Sequence, residues 1–172
     1  MPRAHAVLSA SGAYRWLVCT PSARMEEQFK DESSSYAEEG TRAHAYAEFL
    51  LTTWNRDDEH TNLHPVMPDN EEMDSAVREY LDLCIEKINT AKAITPAARI
   101  VVEDRIDYSE YAPEGFGTAD MVIIADGVLE VIDLKYGKGK PVSAVDNPQI
   151  RLYALGTYLK YDYVYDIKTV RM

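Results

Sequence analysis

Two aspartates and one lysine lie in a part of the sequence that has the pattern of a β-hairpin. Asp120 belongs to one apolar, β-branched stretch, and Asp133 and Lys135 belong to the next stretch along the chain. The dipeptide Asp126-Gly127 between them is typical of a two-residue hairpin turn. Because side chains alternate along a strand, Asp133 and Lys135 face the same side of the sheet. The partner strand can then place Asp120 beside them.

Carboxylates that converge on one point repel each other unless a cation lies between them. Oxygen ligands favour Mg²⁺ or Mn²⁺, which lower the pKa of bound water and neutralise charge on a phosphate. A nearby lysine can stabilise the transition state, so Asp120, Asp133 and Lys135 predict a site for phosphodiester hydrolysis. The alternative is a hairpin with ordinary surface ion pairs. Asp133 lies within the apolar run VIDLK, where a charge is costly, and this favours the site.

The surrounding elements can be predicted from periodicity, caps and turn residues. They are helices over residues 12–19, 36–54 and 71–92, strands over 99–107, 117–125 and 128–135, a helix over 148–158 and a strand over 162–172. Asn147 can cap a helix that has Pro148 at its first position. The helix that begins at Glu71 has one predicted buried stripe: Met73, Val77, Tyr80, Cys84 and Ile88. The polar segment 55–70 predicts a surface loop. The order predicts an α/β fold with a mixed sheet, unlike a doubly wound parallel one. Residues 1–172 form one predicted domain, and a further C-terminal segment is expected after the last strand.

Four motifs, in this order, resemble the RecB-like branch of the PD-(D/E)XK nucleases, in particular its prophage-encoded exonucleases. They are Glu39-Gly40-Thr41-Arg42-Ala43-His44, Gly117-Thr118-Ala119-Asp120, Val131-Ile132-Asp133-Leu134-Lys135 and Gln149-x-x-x-Tyr153. The resemblance implies a restriction-endonuclease-like core, with a mixed central β-sheet flanked by helices. It also implies metal-dependent hydrolysis of DNA, exonucleolytic in mode, in phage recombination or DNA processing.

The resemblance assigns a role to each motif residue. Four residues would ligate the metal: His44, Asp120, Asp133 and Leu134, the last through its backbone carbonyl. Lys135 would be the catalytic lysine, and Gln149 and Tyr153 would line the site and contact DNA. Spacing alone leaves two alternatives open, because His44 and Tyr153 can equally be packing residues on the inner faces of their helices.

The charge of the chain opposes simple binding to nucleic acid. Its net charge of −11 has the wrong sign for contact with a phosphate backbone, so DNA binding needs a local basic patch and bound cations. Lys138 and Lys140 follow Lys135 in a glycine-containing loop and are the predicted phosphate contacts. Arg42 and Arg151 are further DNA-binding candidates. The alternative is that Lys138 and Lys140 are solvated residues of the loop that follows the hairpin.

The two cysteines, Cys19 and Cys84, exclude a disulfide framework. Cys19 resembles the first cysteine of an iron–sulfur subgroup of these nucleases, whose other three cysteines follow the nuclease core. The chain has no cysteine there, so a [4Fe-4S] cluster is expected only in a longer form. Otherwise Cys19 is expected to be a small buried residue. Cys84 is predicted to pack in the core, and His60 and His64 to be solvated loop residues.

The predicted partner is DNA, with a phage recombination protein or a helicase as a possible protein partner. The oligomeric state is left open. No apolar run is long enough to span a bilayer, and the N-terminus lacks the apolar region of a secretory signal, which predicts a cytoplasmic protein without a membrane partner. Two other functions remain as alternatives: a non-cleaving nucleic-acid-binding or assembly subunit on a nuclease fold, and a small-molecule enzyme.

Overall fold

A mixed β-sheet with helices on both faces forms the centre of the protein. The computed structural model describes residues 6–29, 34–55, 64–137 and 141–172. Their elements are α1 (Ala13–Trp16), α2 (Ser22–Glu26), α3 (Ser35–Trp54), α4 (Glu71–Ile94), β1 (Arg99–Asp107), β2 (Phe116–Ala125), β3 (Val128–Ile132), α5 (Pro148–Tyr165) and β4 (Thr169–Arg171).

The strands are ordered β1-β2-β3-β4 in the sheet. The pairs β1–β2 and β2–β3 are antiparallel, whereas β3–β4 is parallel because α5 crosses over between those two strands. The predicted α/β fold with a mixed sheet flanked by helices is therefore confirmed.

The long helices begin where short polar side chains can accept hydrogen bonds from free backbone amides. Ser34 caps α3 by accepting from the amide of Ala37, and Asn70 caps α4 by accepting from the amide of Met73. Asn147 caps α5, with Pro148 in the first turn, as the sequence predicted. The predicted apolar stripe of α4 is confirmed, because all of its members are buried: Met73, Val77, Tyr80, Cys84 and Ile88.

Each face of the sheet has its own hydrophobic core. One core joins α1 and α5 to the sheet through residues such as Tyr153 and Val122. The other joins α3 and α4 to the opposite face through residues such as Tyr46 and Met121. The sheet is thus buried on both sides, and a group in its middle strands is partly shielded from water.

Several predicted boundaries were wrong. The strand predicted over 128–135 ends at Ile132, and the helix predicted over 148–158 continues to Tyr165. That extension leaves only Thr169–Arg171 of the strand predicted over 162–172. The buried ring of Tyr161 accounts for the extension, because it holds the added turn against the sheet.

The other differences concern the loop and the N-terminal region. The helix predicted over 12–19 covers only Ala13–Trp16, and α2 after Pro21 was not predicted. The described part of the predicted 55–70 loop, residue 55 and residues 64–70, contains no helix or strand, and the rest of it lies outside the described residues. In the part of the chain that the structure describes, no helix is both long and apolar enough to cross a bilayer.

Candidate metal centre

Three side chains from three different elements converge where α3 crosses the sheet. His44 comes from α3, Glu103 from β1 and Asp120 from β2. One ligand atom from each residue lies within 4.8 Å of the others. Asp120 is buried, whereas His44 and Glu103 are partly exposed, so the group lies at the edge of the core with access to solvent.

A break in the β1–β2 ladder brings Glu103 to this point. Glu103 has a φ of 51°, in the left-handed region that non-glycine residues seldom occupy. The register is the same on both sides of it, from Val102 opposite Met121 to Asp104 opposite Ala119, so Glu103 lies opposite Asp120. Such a strained backbone persists only where the surrounding structure holds it, and it is common at functional sites.

The same break reverses the alternation of side chains along both strands. Val102 packs in the core under α3 and α4, whereas Ile106, four residues later, packs in the opposite core. Likewise Met121 and Ala119 belong to opposite cores although they are two residues apart. Regular strands would place each of these pairs on one face. The reversal lets Glu103 and Asp120 both reach His44.

The Asp120 carboxylate is fixed by two contacts. One oxygen lies 3.1 Å from Nδ1 of His44. The other accepts a 2.6 Å hydrogen bond from the backbone amide of Leu134. These contacts orient the carboxylate and connect α3 to the segment that follows β3.

Asp133 and Lys135 lie beside this group, just after β3 ends. The Lys135 Nζ is 2.5 Å from an Asp133 oxygen, which places both side chains on the same side, as predicted. Gln149, at the start of α5, donates from Nε2 to the other Asp133 oxygen at 3.4 Å and to the Tyr153 hydroxyl at 3.2 Å. The hairpin aspartates, the lysine and the glutamine thus form one continuous cluster.

Burial and the neighbouring acids shift several pKa values in this cluster. Burial, together with the Asp120 and Glu48 carboxylates, raises the pKa of Glu103 to about 7. Burial and Asp120 also raise the pKa of Asp133, although Lys135 opposes the shift. Burial would lower the pKa of His44, but its hydrogen bond to Asp120 and the nearby carboxylates outweigh this and raise it. Negative charge therefore accumulates here in excess of the cations that face it.

Comparison with known proteins gives a family. A family model described as "Protein of unknown function (DUF2800)" matches residues 5–172, which is nearly the whole chain. The chain belongs to the DUF2800 family. No solved structure gives a significant match.

Two of the four predicted ligands, His44 and Asp120, meet in this DUF2800 protein, together with Glu103, which was not predicted, whereas Asp133 lies outside this group of three. Glu103 was not predicted, because nothing in VVED distinguishes it from an ordinary strand acid. Its role depends on the register between β1 and β2, which are joined by a connection too long to fix that register from sequence. Leu134 contributes its backbone amide to Asp120, and the predicted ligation by its carbonyl stays a prediction.

Tyr153 is a core residue with its hydroxyl at the edge of the site. It is 5% exposed, which supports the packing alternative and leaves Gln149 as the part of this motif that can reach a ligand. A Cβ on Gly117 would lie 2.7 Å from Cε1 of Tyr153, so the glycine of the GTAD motif is required by this contact.

The predicted DNA-binding cations are less well supported. Arg42 forms a 2.6 Å ion pair with Asp69, and Arg151 lies 3.5 Å from Asp146, so an acid partly neutralises each of them. The predicted contacts Lys138 and Lys140 lie outside the described residues.

Cys19, Cys84 and His64 are not part of the group formed by His44, Glu103 and Asp120. Cys19 is exposed, so its interpretation as a buried residue was wrong, and Cys84 is buried as predicted. His64 is exposed, in agreement with a solvated loop residue. His60 lies outside the described residues.

Proposed function

We propose that this protein is a metal-dependent deoxyribonuclease that hydrolyses phosphodiester bonds in DNA, with an exonucleolytic mode. The observation that carries the proposal is the convergence of His44, Glu103 and Asp120 beside Lys135. A chain with a net charge of −11 has many acids, and among them Asp120 is buried with the partly buried Glu103 beside it.

The donor set fits a divalent cation. It offers one imidazole nitrogen and two carboxylates, all close together, and Asp133 lies near enough to raise the pKa of Glu103 further. Hard oxygen donors favour Mg²⁺ or Mn²⁺, and the histidine makes Mn²⁺ a good match. When bound there, such an ion would supply Lewis acidity that activates water and offsets negative charge on a phosphate.

The protein's own groups would orient the phosphate. Lys135 is half exposed beside Asp133, so its ammonium can turn to a non-bridging phosphate oxygen and stabilise the charge that develops there. Gln149 carries a side-chain amide that can hold either the water or a phosphate oxygen. In the reaction, water adds to phosphorus and one ester P–O bond breaks. The products are a phosphomonoester and a free sugar hydroxyl, and the water supplies both of the protons required.

The proposal extends to partners and to a second cofactor. A phage recombination protein or a helicase would bring DNA to an acidic surface that attracts it weakly by itself. An iron–sulfur cluster would need a longer form of the protein, in which the exposed Cys19 is accessible as a ligand.

The experiment compares end-labelled linear DNA with closed circular DNA in Mg²⁺, Mn²⁺ or EDTA. We expect metal-dependent loss of the linear DNA only, and a fall of about 100-fold for Lys135→Ala, the size typical of losing one transition-state donor. Lys168→Ala is the matched control, because Lys168 is an exposed lysine paired with Asp166 away from the cluster.

Cleavage of the circle would replace the exonuclease mode with an endonuclease mode. If the metal binds by calorimetry but neither substrate is cleaved, the enzymatic proposal fails and a non-cleaving DNA-binding role on the same fold replaces it.

A further inference from the structure

A cleft of about 560 Å³ opens beside the candidate metal centre. Lys135 and Gln149 form the end that meets the centre. One wall comes from the N-terminal segment, including Ser11 and Tyr14, and the other from the loop that leads into α5. The volume is within the roughly 300–1,000 Å³ of typical small-molecule sites, which is room for a nucleotide but not for a duplex.

The lining of the cleft does not resemble a phosphate-binding groove. Among its described lining residues, the charged ones are Lys135 and Asp146, and Asp146 is paired with Arg151. The rest of the lining is apolar, aromatic or neutral, as with Val145 and Pro148. Such a surface suits a nucleobase, which needs a flat apolar contact and a few hydrogen bonds, more than it suits a chain of phosphates.

Tyr14 is held in place on the wall of this cleft while its ring stays 60% exposed. The Arg15 guanidinium donates to its hydroxyl at 2.5 Å and lies 5.0 Å from its ring centroid. The Arg15 charge is in turn balanced by Glu26 at 2.6 Å. An exposed ring that is already fixed loses little entropy when a base stacks on it.

The backbone that carries Tyr14 is also anchored. The indole nitrogen of Trp16 donates to the Ser9 carbonyl at 2.8 Å, and the Tyr108 hydroxyl donates to the Leu8 carbonyl at 3.0 Å. Trp16 and Tyr108 are both buried, so the N-terminal segment is tied to the core on both sides of the cleft wall. Tyr14 is therefore a preformed part of the cleft.

We propose that this cleft binds the unpaired terminal nucleotide of a DNA strand, with its base against Tyr14 and its phosphate toward Lys135. The substrate would then be a single-stranded or frayed end. The inference rests on the proposed nuclease function, because it places a nucleotide next to the reacting phosphate. It adds to that function a substrate class and a residue, Tyr14, that touches the substrate.

The test uses the full chain with labelled oligothymidine and with a blunt duplex of the same length. In Mg²⁺, Tyr14→Ala should raise the KM for oligothymidine about tenfold and change kcat by less than about twofold, as expected for the loss of one stacking contact. Ca²⁺ binds hard oxygen ligands with a looser geometry than Mg²⁺ does. In Ca²⁺, the anisotropy of labelled oligothymidine should show a similar loss of affinity for Tyr14→Ala. Tyr14→Phe keeps the ring but loses the hydrogen bond from Arg15, so its KM for oligothymidine should lie between those of the wild type and Tyr14→Ala.

Tyr163→Ala is the matched control, because Tyr163 is 85% exposed and does not line the cleft. A wild-type KM for oligothymidine in Tyr14→Ala would overturn the inference. So would a wild-type preference for the blunt duplex. If wild-type protein binds oligothymidine in a Tyr14-dependent way but cleaves nothing, the cleft assignment stands and the proposed nuclease function fails. If the wild type and Tyr14→Ala cleave oligothymidine equally well, the proposed nuclease function stands and the cleft assignment fails.

Discussion

Glu103 and Asp104 are neighbours on β1, yet they lie in opposite electrostatic environments. Asp104 faces α5, where it is 10% exposed and forms a 2.6 Å ion pair with Lys160. Glu103 faces α3, where it meets Asp120 and His44. Among the residues that the structure describes, no lysine or arginine forms an ion pair with Glu103. The same strand thus carries Asp104, which Lys160 neutralises, and Glu103, which has no such ion pair with a described residue.

The difference separates a structural acid from a candidate ligand. A partly buried carboxylate beside a lysine needs no further partner, because the two opposite charges neutralise each other. A carboxylate that is buried beside other carboxylates costs stability, and the pKa of Glu103, raised first by burial and then by Asp120 and Glu48, reflects both costs. Protein structures keep such arrangements where a cation or a reaction uses them. Burial alone would not distinguish the two acids, whereas the charge of their neighbours does.

Among the variants at the candidate ligands, Asp120→Asn should have the largest effect on cleavage. The amide keeps the shape and can still accept from Leu134, but it removes the charge that a divalent cation needs. We expect cleavage of linear DNA to fall about 1,000-fold, since metal catalysis contributes several kcal/mol and each 1.4 kcal/mol is tenfold in rate. Calorimetry should show the loss of Mn²⁺ binding.

Wild-type cleavage in Asp120→Asn, with the protein shown to be folded by circular dichroism, would contradict the assignment of this centre. The parallel circular dichroism measurement matters, because Asp120 also joins α3 to the segment after β3.

Glu103→Gln should weaken Mn²⁺ binding about 10- to 100-fold, the range seen when a group that supports a metal site is changed. In EDTA the same variant should be more stable to urea than the wild type, because one member of a repelling group of acids is removed. An unchanged Mn²⁺ affinity would show that Glu103 is not a ligand, and the metal set would then rest on His44, Asp120 and Asp133.

The metal-free protein should lose stability as the pH rises from about 5 to about 7. The pKa of Glu103, about 7 when folded, lies above the ordinary glutamate value of about 4.3, so the folded state binds more protons in this window. The raised pKa of His44 acts in the same direction. Urea midpoints in EDTA across this range measure the effect.

Glu103→Gln supplies the control for this pH dependence. In this variant the urea midpoint should fall less steeply with rising pH than in the wild type, because one of the contributing groups no longer titrates. Equal slopes in the two proteins would mean that Glu103 has an ordinary pKa.

Asp104→Asn should produce the smallest effect, and only on stability. It removes the ion pair with Lys160, which is 41% exposed, so we expect a loss of about 1 kcal/mol in the free energy of unfolding. Cleavage and Mn²⁺ affinity should match the wild type. A large loss of Mn²⁺ affinity in this variant would remove the distinction between the two neighbouring acids.

The sequence by itself was sufficient for the local features of the site. The Asp126-Gly127 turn set the β2–β3 hairpin, and this hairpin brings Asp120, Asp133 and Lys135 together. Asn147 marked the start of α5, and the stripe from Met73 to Ile88 identified the buried face of α4. These features depend on residues close in sequence, so propensity, capping and periodicity suffice to predict them.

Only the tertiary structure decided which further groups reach the centre. The left-handed Glu103 reverses the alternation of β1, and no strand pattern in the sequence indicates such a reversal. The extension of α5 to Tyr165 depends on Tyr161 packing against the sheet. The cleft near Tyr14 joins residues 10–14 to Lys135 and to the loop that leads into α5. Contacts between residues far apart in sequence are fixed by packing of the whole core, and local rules carry no information about them.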